Sequence, residues 1–378
     1  MLTYISRVRR IFSFKIILLY STSKNRGRVK SKANHHFLFA LLFSGLLLIC
    51  AILTGSKAYA QEAEDSAIVL MYHRFGEDKF PSTNITLDQF DAQLAELQKE
   101  KYNIVPLDVI VSALRNKTKL PPRTIAITID DAYYSILQHA WPRLKQANFP
   151  FTLFVSTEPI SHQIPGYMTW PQIRELARDP LVSIGHHAHT HKHLIHMSAQ
   201  RAAEDIETAS KIYQKELGMV PDIFAYPFGE FGPLLADILQ KKKFTAAFGQ
   251  FSSALSSRRD LYGLPRFSFN QKYANMERFR LIVNARALPA FDVLPISPDI
   301  HKNPPQIGFT VDKHVRGLSV MSCYPSHLGK AADITRIGGN RIEIRFDKPL
   351  PQGRSRLNCT LPGPDRRWYW FGLPFFVK

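Results

Sequence analysis

Acidic residues are missing from the first 60 positions, which carry ten Lys and Arg side chains. Of the formal net charge of +18, this leader accounts for ten, leaving +8 for the remainder. The basic balance is therefore partly a targeting signal. No basic helix interleaved with aromatics appears further on, which argues against a nucleic-acid partner. Cysteine is scarce, with three in 378 residues. Cys50 sits in an apolar run directly after Ile49, a poor residue before a lipid-modified cysteine, and reads as apolar filler. That leaves at most one disulfide, between Cys323 and Cys359. Internal repeats are also absent, which excludes repeat architectures.

The leader has a readable order. Lys24, Arg26, Arg28, Lys30 and Lys32 precede the apolar run at 37–54. Ala58-Tyr-Ala60 then offers a small-x-small cleavage site before Gln61. This order predicts a secretory signal over residues 1–60. The rival reading is an uncleaved anchor, since the run is near the lower length for spanning a bilayer. The basic flank exports the rest of the chain in both cases, to the periplasm or cell surface, and membrane association would run through residues 37–54. In an oxidising compartment Cys323 and Cys359 are expected to pair. Closing that loop is worth roughly 3–4 kcal/mol on chain-entropy grounds.

Hydrophobic residues make up 45% of the chain, enough for a sizeable core. From Ala67 to Phe248, short apolar runs alternate with stretches at helical spacing about seven times. The runs look covered on both faces. The pattern predicts an α/β fold, a distorted (β/α) barrel of about seven parallel strands, over residues 61–290. Pro289, Pro295, Pro298, Pro304 and Pro305 mark a linker, placed at 291–304. Period-two alternation in Arg341-Ile-Glu-Ile-Arg-Phe346 and the hairpin signal Gly338-Gly-Asn340 predict a small antiparallel, sandwich-like β-domain at 305–378. Leu318–Met321 is expected to be one of its strands. Trp368 and Trp370 would share one face of another, as core or as a carbohydrate-binding strip.

The chemistry concentrates in two places. Thr124–Ile129 is an apolar run that stops on Asp130 and Asp131, and Val182–Ile184 leads into Gly185-His-His-Ala-His-Thr-His191. Carboxylates at the end of a buried strand lie at the mouth of an α/β sheet, where ligands bind. Two histidines at H-x3-H spacing add imidazoles. One Asp with two His makes a three-ligand set that keeps a position open for water, and the second Asp is then free to act as a base. Each piece alone has a bland reading, as a turn and as a solvated polar loop.

With these residues in hand, the chain resembles the polysaccharide deacetylases of carbohydrate esterase family 4, the nodulation-deacetylase homology domain. Thr128-Ile-Asp-Asp131 matches the family's T-F-D-D motif, and His187-Ala-His-Thr-His191 its H-[ST]-x-x-H motif, with Ala188 where Ser or Thr is usual. Tyr226-Pro-Phe-Gly229 resembles the groove motif, although Ala225 stands where many members carry Arg. The L-x-H motif is missing after residue 260. Leu70-Met-Tyr-His73 stands near the start of the mature chain instead. That order is similar to the circularly permuted members acting on exported poly-N-acetylglucosamine. The resemblance spans roughly residues 66–270.

The resemblance implies roles. Asp131, His187 and His191 would bind a divalent metal, usually zinc. Asp130 would be the base and His73 the acid, while Arg266 would orient Asp130 in place of the missing motif arginine. Tyr226, Pro227, Phe228 and Gly229 would line the groove, with backbone near Phe228 donating to an oxyanion. Tyr133 and Trp170 are further candidates for stacking on a sugar, although either would serve equally as core. The implied activity is hydrolysis of N-acetyl groups on N-acetylglucosamine-containing glycans. The competing readings are a noncatalytic glycan- or metal-binding protein on the same barrel, and a metal amidohydrolase of a small non-sugar amide.

Overall fold

Seven parallel strands build the larger layer of the fold: β1 (Ala67–Tyr72), β2 (Thr124–Asp130), β3 (Phe151–Val155), β4 (Val182–His186), β5 (Ile223–Ala225), β6 (Ala246–Phe248) and β7 (Phe267–Ser268). The computed structural model describes residues 63–378, so the readings of a signal or anchor at 1–60 lie outside the described residues. Among those described, no helix is long and apolar enough to cross a membrane.

The sheet order is β7-β1-β2-β3-β4-β5-β6, and every pairing along it is parallel. The ring is closed by a parallel bridge from Phe248 to Leu264, just before β7, with Ala247 and Gly249 bonding backbone to Leu261 and Leu264. It is thus a distorted (β/α) barrel. Strands β1, β2 and β3 are buried along their whole length, which explains why they read as continuous apolar runs. Helices cover the outside. The helix Ala199–Leu217 presents Ala202, Ile206, Ala209 and Tyr213 inward and ends at Gly218, whose φ of 72° suits a left-handed cap. The helical stretch after Tyr133 contains a π turn, Ile136–Ala140, directly before Pro142. That proline has no N–H to give to a regular turn.

The register of β1 decides where the chemistry falls. Ala67 pairs with Thr124 and Tyr72 with Ile129, so His73 emerges beside Asp130. Residues 57 positions apart in sequence are thereby brought side by side at the ends of paired strands.

The C-terminal region is a pair of packed antiparallel sheets. One joins Ser322–Pro325, Gly353–Pro362 and Trp368–Val377, and the other joins Ala290–Leu294, Ile307–Val311, Arg341–Ile344 and Ile334–Ile337. They share a core that includes Ile307, Phe309, Val311, Ile342, Leu357 and Phe371. Gly338 and Gly339, at φ 58° and 89°, turn the hairpin between Ile337 and Arg341.

Two sequence expectations are corrected here. The stretch 291–304 is no free linker: it contributes the strands Ala290–Leu294 and Asp299–Ile300, and Arg286–Ala287 already pairs with Tyr369 and Trp370. The prolines fall between these strands, with Pro295 and Pro298 in the connection from Leu294 to Asp299, so they punctuate the sheet without ending the structure. Leu318–Val320 is a short 3-10 turn where a strand was expected.

The β-domain is also docked on the barrel. Arg367 is buried and pairs with the buried Glu64, while Trp370 packs edge-on against Phe267 at 5.2 Å. That contact makes Trp370 a docking residue, not part of a solvent-facing strip.

Cys323 and Cys359 are directly opposite on neighbouring strands and form a disulfide. Replacing both by Ala is expected to lower unfolding stability by about 3–4 kcal/mol. Denaturant unfolding checks this, and an unchanged midpoint would count against a structural role for the bond.

Candidate functional site

Strand β2 ends at Asp130, and alternation along a strand would send the next side chain to the opposite face. The chain avoids this by entering the left-handed region at two successive non-glycine residues, Asp131 (φ 76°) and Ala132 (φ 60°). Ala188, His191 and Phe228 share this conformation, at φ 61°, 48° and 59°. Such residues cost of order 1–3 kcal/mol each and persist where the surroundings hold them. Five of them gather at one barrel mouth.

His187 and His191 face Asp131. The distances from Asp131 Oδ1 are 3.4 Å to His187 Nε2 and 3.1 Å to His191 Nε2. The three ligand atoms all lie within 4.8 Å of one another. His187 Nδ1 lies 2.7 Å from the Ala225 carbonyl oxygen, which fixes Nδ1 as the donor and leaves Nε2 with a lone pair. Asp131 Oδ1 and His187 Nε2 are both buried and have no hydrogen-bond partner. Unsatisfied buried acceptors aimed at one point are costly in a protein interior, and a divalent cation resolves both at once. The residues therefore fit a metal. Burial pushes the Asp131 carboxyl up, but the two imidazoles outweigh it and hold it well below the usual range. For His191 burial acts downward, and the Asp131 carboxylate raises the net value.

Asp130 belongs to a second constellation. Arg266 is fully buried and clasps it bidentately, with Nη1 2.6 Å from Oδ1 and Nη2 2.8 Å from Oδ2. The guanidinium is itself held, donating Nε–H to the Gly249 carbonyl at 3.1 Å and Nη1–H to Thr128 Oγ1 at 3.2 Å. Burial alone would raise the Asp130 carboxyl, but Arg266, with help from His187 and His73, lowers it, so it remains a carboxylate. His73 Nε2 is 3.9 Å from Asp130 Oδ2. Burial pushes the His73 imidazole down, and the two carboxylates recover part of that shift.

The surrounding shell includes residues that the motifs did not announce. Asp205 accepts from the His189 N–H at 2.8 Å and from Thr190 Oγ at 2.6 Å, pinning the loop between His187 and His191. An acid on the buried stripe of an amphipathic helix, between Ala202 and Ala209, was the available signal. Arg354, from the β-domain, donates to the Phe228 carbonyl at 2.6 Å. Gly185 is needed because a Cβ there would meet the Phe154 ring at 2.3 Å.

Two groove candidates are corrected. Tyr226 is fully buried, stacked on Phe231 and bonded through its hydroxyl to the Tyr262 carbonyl, so its ring offers no face to a sugar. Trp170 is buried edge-on against Tyr213. Pro227 and Gly229 are also buried and shape the turn, and a Cβ on Gly229 would strike the Gln250 backbone nitrogen at 2.3 Å. Tyr133 is largely covered, with the Arg74 guanidinium 3.4 Å above its ring and Tyr167 4.7 Å away. Phe228 is the partly exposed ring of the motif and stacks on His193 at 3.9 Å.

A distorted (β/α) barrel with an Asp-His-His set and a clasped second carboxylate at its mouth has the architecture of a metal-dependent hydrolase. The polysaccharide deacetylase family matches residues 117–247 of this chain. The poly-beta-1,6-N-acetyl-D-glucosamine N-deacetylase of Staphylococcus aureus (strain MSSA476) is 21% identical over 265 residues, covering 60% of this chain and 91% of that protein. The structure of IcaB from Ammonifex degensii is similar with a TM-score of 0.52 and 25% identity, over 59% of this chain and 99% of that one. The Streptococcus pyogenes deacetylase PplD in complex with acetate shares the fold, with a TM-score of 0.53, 20% identity and 59% and 99% coverage.

Proposed function

We propose that this chain is an exported, zinc-dependent N-deacetylase that removes acetyl groups from N-acetylglucosamine polymers. The observation that carries this reading is the pair of constellations at one mouth: unsatisfied ligand atoms on Asp131 and His187 beside a carboxylate, Asp130, held by a buried arginine. The likeness to the Staphylococcus aureus and Ammonifex degensii proteins supports the polymer as substrate. The leader at 1–60 supports export.

Asp131, His187 and His191 would hold the metal. When bound, it supplies an acidified water and a polarised acetyl carbonyl. The chain's own residues do the rest. Asp130 accepts the proton that water gives up, and Arg266 keeps its carboxylate ionised and oriented. The Phe228 turn presents backbone to the carbonyl oxygen as it gains charge. His73 delivers a proton to the departing nitrogen, because an amide anion is too basic to leave unaided. Water and the amide become acetate and a free amino sugar.

The His187→Ala/His191→Ala double variant is expected to lose its tight zinc equivalent, as read by equilibrium dialysis. Tight binding that survives would move the metal elsewhere. Substrate choice is tested by acetate release from β-1,6- and β-1,4-linked N-acetylglucosamine oligosaccharides and from a small N-acetyl amide. The reading expects turnover of the β-1,6-linked polymer above the other two. Preference for the small amide would favour the amidohydrolase reading instead.

A further inference from the structure

A second set of ligand-type side chains lies on the other side of Phe228. His193, His196 and Glu230 each bring one ligand atom into a cluster no wider than 4.8 Å. The short 3-10 turn Leu194–His196 explains the first two, because side chains three apart eclipse in that geometry and both imidazoles face one way. Glu230 follows the Phe228-Gly229 turn, and its largely buried Oε2 lies 2.7 Å from His193 Nδ1. The two imidazole rings are 5.7 Å apart. Both histidines are exposed, so the open side of the cluster faces water.

We propose that His193, His196 and Glu230 form a second divalent-metal site of the zinc class. Two imidazoles and one carboxylate suit zinc, nickel or copper better than calcium or magnesium, which prefer all-oxygen shells. With metal–ligand bonds of about 2.0–2.2 Å, ligand atoms stand roughly 3.3 Å apart, so the His193–Glu230 contact opens slightly to admit an ion. Arg354 Nε lies 3.7 Å from the other carboxylate oxygen of Glu230, Oε1, and offsets part of the attraction. The site is therefore weaker than the one at Asp131. It is separated from the first by one aromatic ring, since Phe228 packs against both His193 and His191, at 3.9 and 4.8 Å. This inference does not depend on the deacetylase reading, because neither His193, His196 nor Glu230 takes part in that chemistry.

The test is a zinc count without substrate, by equilibrium dialysis on the exported protein, with cobalt absorption as a second readout of imidazole–carboxylate ligation. Wild-type protein is expected to take up two equivalents, one tight and one weaker. His196→Ala and Glu230→Gln should each retain only the tight one, and His187→Ala/His191→Ala only the weaker. His196 is exposed, so its replacement leaves the core untouched, and circular dichroism confirms the fold of each variant. Saturation of the wild type at one equivalent that His196→Ala and Glu230→Gln both leave in place would overturn the proposal. So would a second equivalent that persists undiminished in both His196→Ala and Glu230→Gln.

Discussion

Asp130→Asn is expected to lose turnover by about 10²–10⁴-fold while still binding its tight metal equivalent. An amide in place of the carboxylate cannot accept the proton from water. The metal-facing set of Asp131, His187 and His191 does not include Asp130, so metal content should hold. The geometry adds a second consequence. Arg266 is fully buried and directs two N–H groups at the two oxygens of Asp130. An Asn must point its own NH₂ at one of them, leaving a buried guanidinium partly unpaired. Breaking a buried ion pair costs up to roughly 3–5 kcal/mol. The rate must therefore be compared at a temperature where circular dichroism shows both proteins folded. Arg266→Lys separates the effects, since it keeps the charge and gives up the bidentate clasp. It should retain more activity than Asp130→Asn. Near wild-type turnover in folded, metal-loaded Asp130→Asn would remove Asp130 as the base.

The second large effect concerns His73. His73→Ala should reduce amide hydrolysis by about 10²–10⁴-fold, yet reduce hydrolysis of an activated acetate ester by about tenfold or less. The ester's leaving group departs with little help, whereas the sugar amine needs a proton. The structure supplies the reason to expect a split: β1 places His73 Nε2 3.9 Å from Asp130 Oδ2, at the mouth and outside the metal-facing set. Equal losses on both substrates would mark His73 as structural.

Much of this site was legible in the sequence because its parts end strands. The runs before Asp130 and before His186 are apolar, and strand ends in such sheets converge on one mouth. The placement of His73 followed from the same logic once Ala67–Tyr72 was read as a barrel strand, and the full register with β2 bears that out. The partnership of Arg266 with Asp130 was a weaker inference, resting on a missing arginine at Ala225. What supplies it is a fold that brings the segment before β7 back to β2. Arg354 was not legible, since it reaches the site from a distant element through a side chain with no local pattern, and Asp205 left one signal alone, an acid on the buried stripe of its helix. Tyr226 and Trp170 failed for another reason. An aromatic residue near a strand end has the same sequence signature whether its ring faces a groove or the core, and here the core took both. The prolines at 291–304 misled similarly, because short connections between paired strands are as rich in proline as a linker is.

Metal-dependent removal of acetyl groups can be tested in one reaction that counts acetate and free amine together. Protein stripped with a chelator, then reloaded with one equivalent of zinc, is incubated with a β-1,6-linked N-acetylglucosamine oligosaccharide. The stripped protein is expected to release nothing, and the reloaded protein to recover, with acetate equal to new amine groups at every time point. Release that persists after stripping, or no release after reloading of folded protein, would contradict metal-dependent deacetylation.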